Sequence, residues 1–154
     1  MSDALNLRLG EAPGGLPIRA VMREEHLSGQ VGGRLFGAEI HLDVLDDGLV
    51  GSVGAYPVRL SLSDGQLVGE VGGVPLQLRG VTSVSGLYGG DALHGWAVAA
   101  QPEGSSLSGA FRSGQAIRSF SGTVGEIPIW IAVVVLAMAF RVAGQSLLPL
   151  KRPA

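Results

Sequence analysis

Apolar and polar residues follow two rhythms along this chain. In the first, AEIHLDVL (38–45), VRLSLS (58–63) and LQLRGV (76–81) alternate apolar and polar residues with period two. That period sets one side of a strand against a core and the other in water. In the second, a glycine sits midway between two apolar residues. The copies are LSGQVG from Leu27, LVGSVG from Leu49, LVGEVG from Leu67, VSGLYG from Val84, LSGAFR from Leu107 and FSGTVG from Phe120. Their starts lie 22, 18, 17, 23 and 13 residues apart. That is too uneven for a stack of identical coils and suits hairpins whose loops vary.

Turn chemistry joins the two kinds of segment. DDG (46–48) and DG (64–65) offer residues that tolerate the positive φ of tight hairpins. GAYP (54–57) and GGVP (72–75) place glycine ahead of a proline that cannot donate to a ladder, which marks strand ends. The pattern predicts twelve antiparallel strands near 4–9, 17–22, 26–32, 35–45, 49–54, 57–63, 66–72, 75–81, 83–89, 92–100, 106–112 and 115–124. Such short strands with frequent reversals belong to an all-β sandwich or barrel.

In LVGEVG the residues sharing a face are Leu67, Gly69 and Val71, so the glycine lies on the apolar side. Glycine in a strand interior weakens it and often marks close approach by another backbone. The chain changes character at Ile127. Residues 127–140, IPIWIAVVVLAMAF, carry no charge and no polar group beyond the indole of Trp130. Alanine, leucine and methionine favour a helix over 127–143, with a tail over 144–154, although the run Val133–Val135 also suits a thirteenth strand. A helix apolar on every side is buried in protein or in lipid. Fourteen residues span about 21 Å, short of a hydrocarbon core of roughly 30 Å and equal to a strand of six or seven residues. The expected architecture is therefore a single all-β domain over 1–154, a twelve-stranded meander barrel (1–125) closed around the C-terminal helix. The inward glycines would make room for Trp130, Met138 and Phe140. A two-sheet sandwich with a packed helix would show almost the same strand pattern.

On this element order and the IPIWIAVVVLAMAF segment, residues 17–145 resemble the tubby-like fold of tubby C-terminal domains, phospholipid scramblases and plant LURP-one-related proteins. The resemblance implies a twelve-stranded barrel around a hydrophobic helix, and a role in binding phosphoinositides or acting at membranes. It carries over no functional residue.

Composition narrows the function classes. The 154 residues include 46% apolar and 16% charged side chains, 25 glycines and no cysteine. Disulfides, thiolate metal sites and cysteine nucleophiles are thereby excluded. The net charge of −2 argues against nucleic-acid binding driven by overall charge. The start, MSDALNLRLGEAPGG, has no apolar run of signal-peptide length, so a cytoplasmic location is expected.

Candidate chemistry is sparse. His26, His41 and His94 lie on separate segments without metal-ligand spacing, and Asp43, Asp46 and Asp47 lack the loop of a calcium site. GAFRSGQA has the glycine spacing of a phosphate loop but Gln115 where lysine is required. No serine sits in a G-x-S-x-G elbow. Tyr88 and Trp96 read as core. Arg34, Arg59 and Arg79 project outward from period-two strands and are the candidate anion-binding residues, the plainer reading being solvated arginines that keep the barrel soluble. The reading is a non-enzymatic binding or scaffold module without a cofactor, engaging lipid headgroups or another anionic ligand, with an anionic lipid or a protein as partner. Two other readings are a soluble β-domain held to a membrane by a tail anchor over 127–150, and a self-assembling structural protein.

Overall fold

The computed structural model describes residues 4–10, 16–32, 37–80, 83–89, 95–114 and 116–151, with side chains through Val142. Twelve strands follow one another: β1 (Ala4–Leu9), β2 (Leu16–Arg23), β3 (His26–Val31), β4 (Ala38–Leu45), β5 (Gly48–Val53), β6 (Tyr56–Ser63), β7 (Gln66–Val71), β8 (Val74–Arg79), β9 (Val84–Tyr88), β10 (Trp96–Glu103), β11 (Ser106–Ser113) and β12 (Ala116–Thr123). Each pairs antiparallel with its chain neighbours, and β1 pairs with β12 from Asn6↔Thr123 to Leu9↔Phe120, closing a barrel. A sandwich is thereby excluded, and among the described strands the sheet has no open edge.

Alternation decides which residues face inward. In β6, Val58 and Leu60 are buried while Pro57, Arg59 and Ser61 are exposed. In the β6–β7 hairpin, Asp64 (φ 54°) and Gly65 (φ 76°) both adopt the left-handed conformation that matches the twist of the flanking strands. The β2–β3 hairpin uses the same turn with two glutamates, Glu24 (φ 51°) and Glu25 (φ 70°), residues that carry no turn signal.

The six repeat glycines all fall at inward register positions, each opposite an inward residue of a neighbouring strand: Gly29↔Ala20, Gly51↔Leu42, Gly69↔Leu60, Gly86↔Leu78, Gly109↔Ala100 and Gly122↔Leu7. Their purpose differs from the expectation. A Cβ added at any of the six would collide first with a backbone carbonyl of that neighbouring strand, such as His41 O for Gly51 or Gln77 O for Gly86. The close approach is strand against strand, where the sheet curls tightly enough to close. Glycine kinks are one means by which sheets acquire such curvature.

Helix α1 (Ile129–Lys151) follows β12. Pro128 ends the approach, and its carbonyl accepts the first helical hydrogen bonds from Ile131 (3.1 Å) and Ala132 (3.3 Å). The helix starts two residues later than expected and runs through 144–151, where a tail was expected. Nine consecutive residues, Ile131–Ala139, are at most 1% exposed. At 100° per residue they cover every face of the helix, so protein surrounds this segment. It touches β1, β2, β5, β7, β9 and β10, strands from all around the barrel. The helix therefore fills the lumen.

The apolar run is core, against the tail-anchor reading of 127–150, and no described helix is long and apolar enough to cross a membrane. Where the helix leaves, Phe140 stacks on Phe111 (centroids 4.4 Å apart) and meets Trp96 edge-on (4.8 Å). Arg141, the first charge after the apolar run, donates from Nε to Gly72 O (3.1 Å) and lies 4.4 Å over the Tyr56 ring. Beside it, the buried Tyr88 hydroxyl donates to Val71 O (2.9 Å). Tyr88 and Trp96 thus belong to the core cluster and its margin.

Candidate anion-binding groove on the outer wall

Because the helix occupies the lumen, ligand chemistry has to be sought outside. Strand register orders the outward side chains into rows that cross the wall. One row on β1, β12, β11 and β10 is Arg8, Ser121, Ser108 and Gln101. The next contains Ser119, Ala110 and Ala99, and the third Ile117, Arg112 and Ala97. Small side chains in the middle row, with serines beside them, leave a depression in the wall. It is a groove of about 730 Å³ with Arg8 at one corner and Arg112 at the opposite one. Among the described residues no carboxylate lines it, and both arginines are exposed. Ile117, 56% exposed, stands beside Arg112 as an apolar flank.

The arginines expected from sequence are placed differently. Arg34 lies outside the described residues. Arg59 and Arg79 are exposed, as the period-two pattern predicts. Arg59 is directly opposite Glu70 on β7, whereas Arg79 is opposite Gln66 at the far end of that strand. The two sit on a diagonal of two strands and four residues, the same offset that separates Arg8 from Arg112. Glu70, Val68 and Gln77 occupy the intervening surface, so a carboxylate and longer side chains stand where the other wall has serine and alanine. Sequence reasoning missed Arg8 and Arg112 because each belongs to a different hairpin. Only barrel closure makes β1 a neighbour of β12.

Among the described residues, charge is divided along the barrel axis. Every even-to-odd hairpin and the link into α1 lie at one end, by the alternation of an antiparallel meander. There the turn residues Glu24, Glu25, Asp46, Asp47 and Asp64, with Asp43, Glu103 and Glu126, gather eight carboxylates against the guanidiniums of Arg23 and Arg79. Elsewhere the described carboxylates are Glu39 and Glu70, set against six arginines. A ligand carrying negative charge is thus repelled from the acidic end and drawn to the wall.

Neighbouring strands also bring two histidines together. His26 and His41 have ring centroids 6.0 Å apart, His26 Nδ1 is 2.7 Å from Asp43 Oδ1, and His41 Nε2 is 3.4 Å from Glu39 Oε1. Among the described residues no three histidine, cysteine or acidic side chains are placed to hold a metal ion, and His94 lies outside them. Asp46 and Asp47 form the β4–β5 turn. Gln115, which breaks the phosphate-loop spacing, is outside the described residues. Comparison with family models, curated proteins and solved structures finds no match to this chain.

Proposed function

We propose that this chain is a non-enzymatic barrel module that binds lipid headgroups or another anionic ligand in the wall groove between Arg8 and Arg112. The observation that carries this reading is the groove itself: two exposed guanidiniums and three serine hydroxyls around a floor of small residues, with no carboxylate among the described lining residues. The filled lumen supports it, since a ligand must approach from outside. Twelve strands closed around a C-terminal helix are also what the resemblance to the tubby-like fold implies, and that resemblance supports reading the chain as a cytoplasmic protein that meets lipid headgroups.

The test is co-flotation with phosphatidylcholine vesicles, with and without phosphatidylserine, alongside calorimetric titration with inositol hexakisphosphate. Binding to one of the anionic probes is expected, and Arg8→Ala combined with Arg112→Ala is expected to weaken it about thirtyfold, from roughly 1 kcal/mol per guanidinium near an anionic surface. Arg59→Ala with Arg79→Ala should leave it unchanged. Equal losses from both pairs would reduce the effect to net charge and remove the groove from the argument. Failure of every anionic probe would remove the anion itself.

A further inference from the structure

We infer that the groove accepts an extended acidic peptide whose carboxylates are four residues apart. The inference rests on the anion-binding reading above and specifies its ligand. Arg8 and Ser108 share a row two strands apart, and Arg112 lies four residues along β11 from Ser108. With strands about 4.8 Å apart and residues about 3.4 Å apart, the two arginine Cα atoms are separated by roughly 17 Å. A small single anion meets one guanidinium at a time, whereas an extended chain with two charges delivers one to each corner.

Period two then selects the spacing. In an extended peptide, residues i and i+4 point to the same side and are about 14 Å apart, and arginine side chains supply the remaining reach. A spacing of five would turn the second carboxylate away from the wall.

Hydrogen-bonding chemistry separates a peptide from a phosphate chain. Ser108, Ser119, Ser121 and Gln101 line the groove, and each can both donate and accept. Peptide amides present donors and acceptors alike, while phosphate oxygens at neutral pH mainly accept. The low floor at Ala99 and Ala110 lets a backbone come close, and among the described residues no aromatic side chain stands outward in the groove for a base to stack on. Phe120, which also lines it, is an inward core residue.

The experiment uses the full chain and two fluorescent peptides of equal composition, uncharged apart from two glutamates. In one peptide the glutamates are four residues apart, and in the other they are adjacent. Anisotropy titrations should show the spaced peptide binding about tenfold tighter, the gain from a second charge-assisted contact. Arg8→Ala or Arg112→Ala alone should abolish that preference. The Arg59→Ala with Arg79→Ala variant, which shares the diagonal, should retain it. All four positions are exposed, and unchanged melting curves confirm that the variants fold. Equal affinity for the two peptides overturns the spacing while leaving the anion site in place. Binding of inositol hexakisphosphate or a single-stranded oligonucleotide, with neither peptide bound, overturns the peptide and keeps the anion. If nothing binds, both readings fall.

Discussion

Gly86 and Gly73 show how differently one residue type is used within this chain. At Gly86, in the middle of β9, a Cβ would collide with Gln77 O of the paired strand. At Gly73, in the β7–β8 turn, a Cβ has open space around it but φ is 80°. Gly86→Ala should therefore cost about 3 kcal/mol, as overpacking does where backbone must move. Gly73→Ala should cost only about 1 kcal/mol, the penalty of left-handed backbone for an L-residue. Urea melts of the two variants rank them, and the reverse order would show that the repeat glycines serve backbone torsion instead of close approach. The repeat and its inward placement were legible in the sequence. The obstructing atom was not, because Gly86 and Gln77 meet only through register.

At the scale of elements, the link between α1 and the rim of the barrel tests how the helix is held. Burial pushes the Tyr88 phenol well above the ordinary tyrosine range, and nearby Arg141 only partly offsets it. The folded state thus keeps its proton where the unfolded chain releases it. The resulting stabilisation is complete below a pH of about 10, the unfolded value, and is lost as pH rises beyond it. Stability measured by denaturant melts should fall steeply above that pH in the native chain and less steeply in Tyr88→Phe. Identical slopes would place Tyr88 outside the cooperative core. Element boundaries were harder to read than element types. β10 was expected over 92–100 and spans Trp96–Glu103, because QPEG reads locally as a turn while the barrel tolerates Pro102 next to the strand's end. The Glu24–Glu25 turn gave no signal at all, since glutamate is not a left-handed residue by preference. Its conformation is imposed by the pairing of β2 with β3.

For the whole molecule, the helix decides whether the barrel has a core. Inward residues from all twelve strands and the nine buried residues of α1 form one cluster. A chain stopped after Gly125 would leave an apolar lumen open to water. It should aggregate or lose its cooperative melt and its near-ultraviolet circular dichroism, whereas the full chain melts as one unit. A cooperative melt of the shortened chain would make the helix an accessory to a self-sufficient barrel. Among the described residues the same axial arrangement separates charge, with acidic turns at the end where the helix enters and arginines over the wall and the exit. Added salt should consequently weaken the anion binding proposed for the wall.

Local pattern alone determined the twelve strands, their polarity of facing, the inward glycines and the unbroken apolar character of IPIWIAVVVLAMAF. Each of these depends on residues within one or two turns of one another. Closure, the strand-on-strand reason for the glycines, the continuation of α1 through Lys151 and the groove were decided by tertiary structure. Arg8 and Arg112 lie on hairpins from opposite ends of the chain, and no local periodicity encodes their meeting. They share a wall because the β1–β12 ladder joins those ends, and they share a groove because the residues between them in that ladder happen to be small.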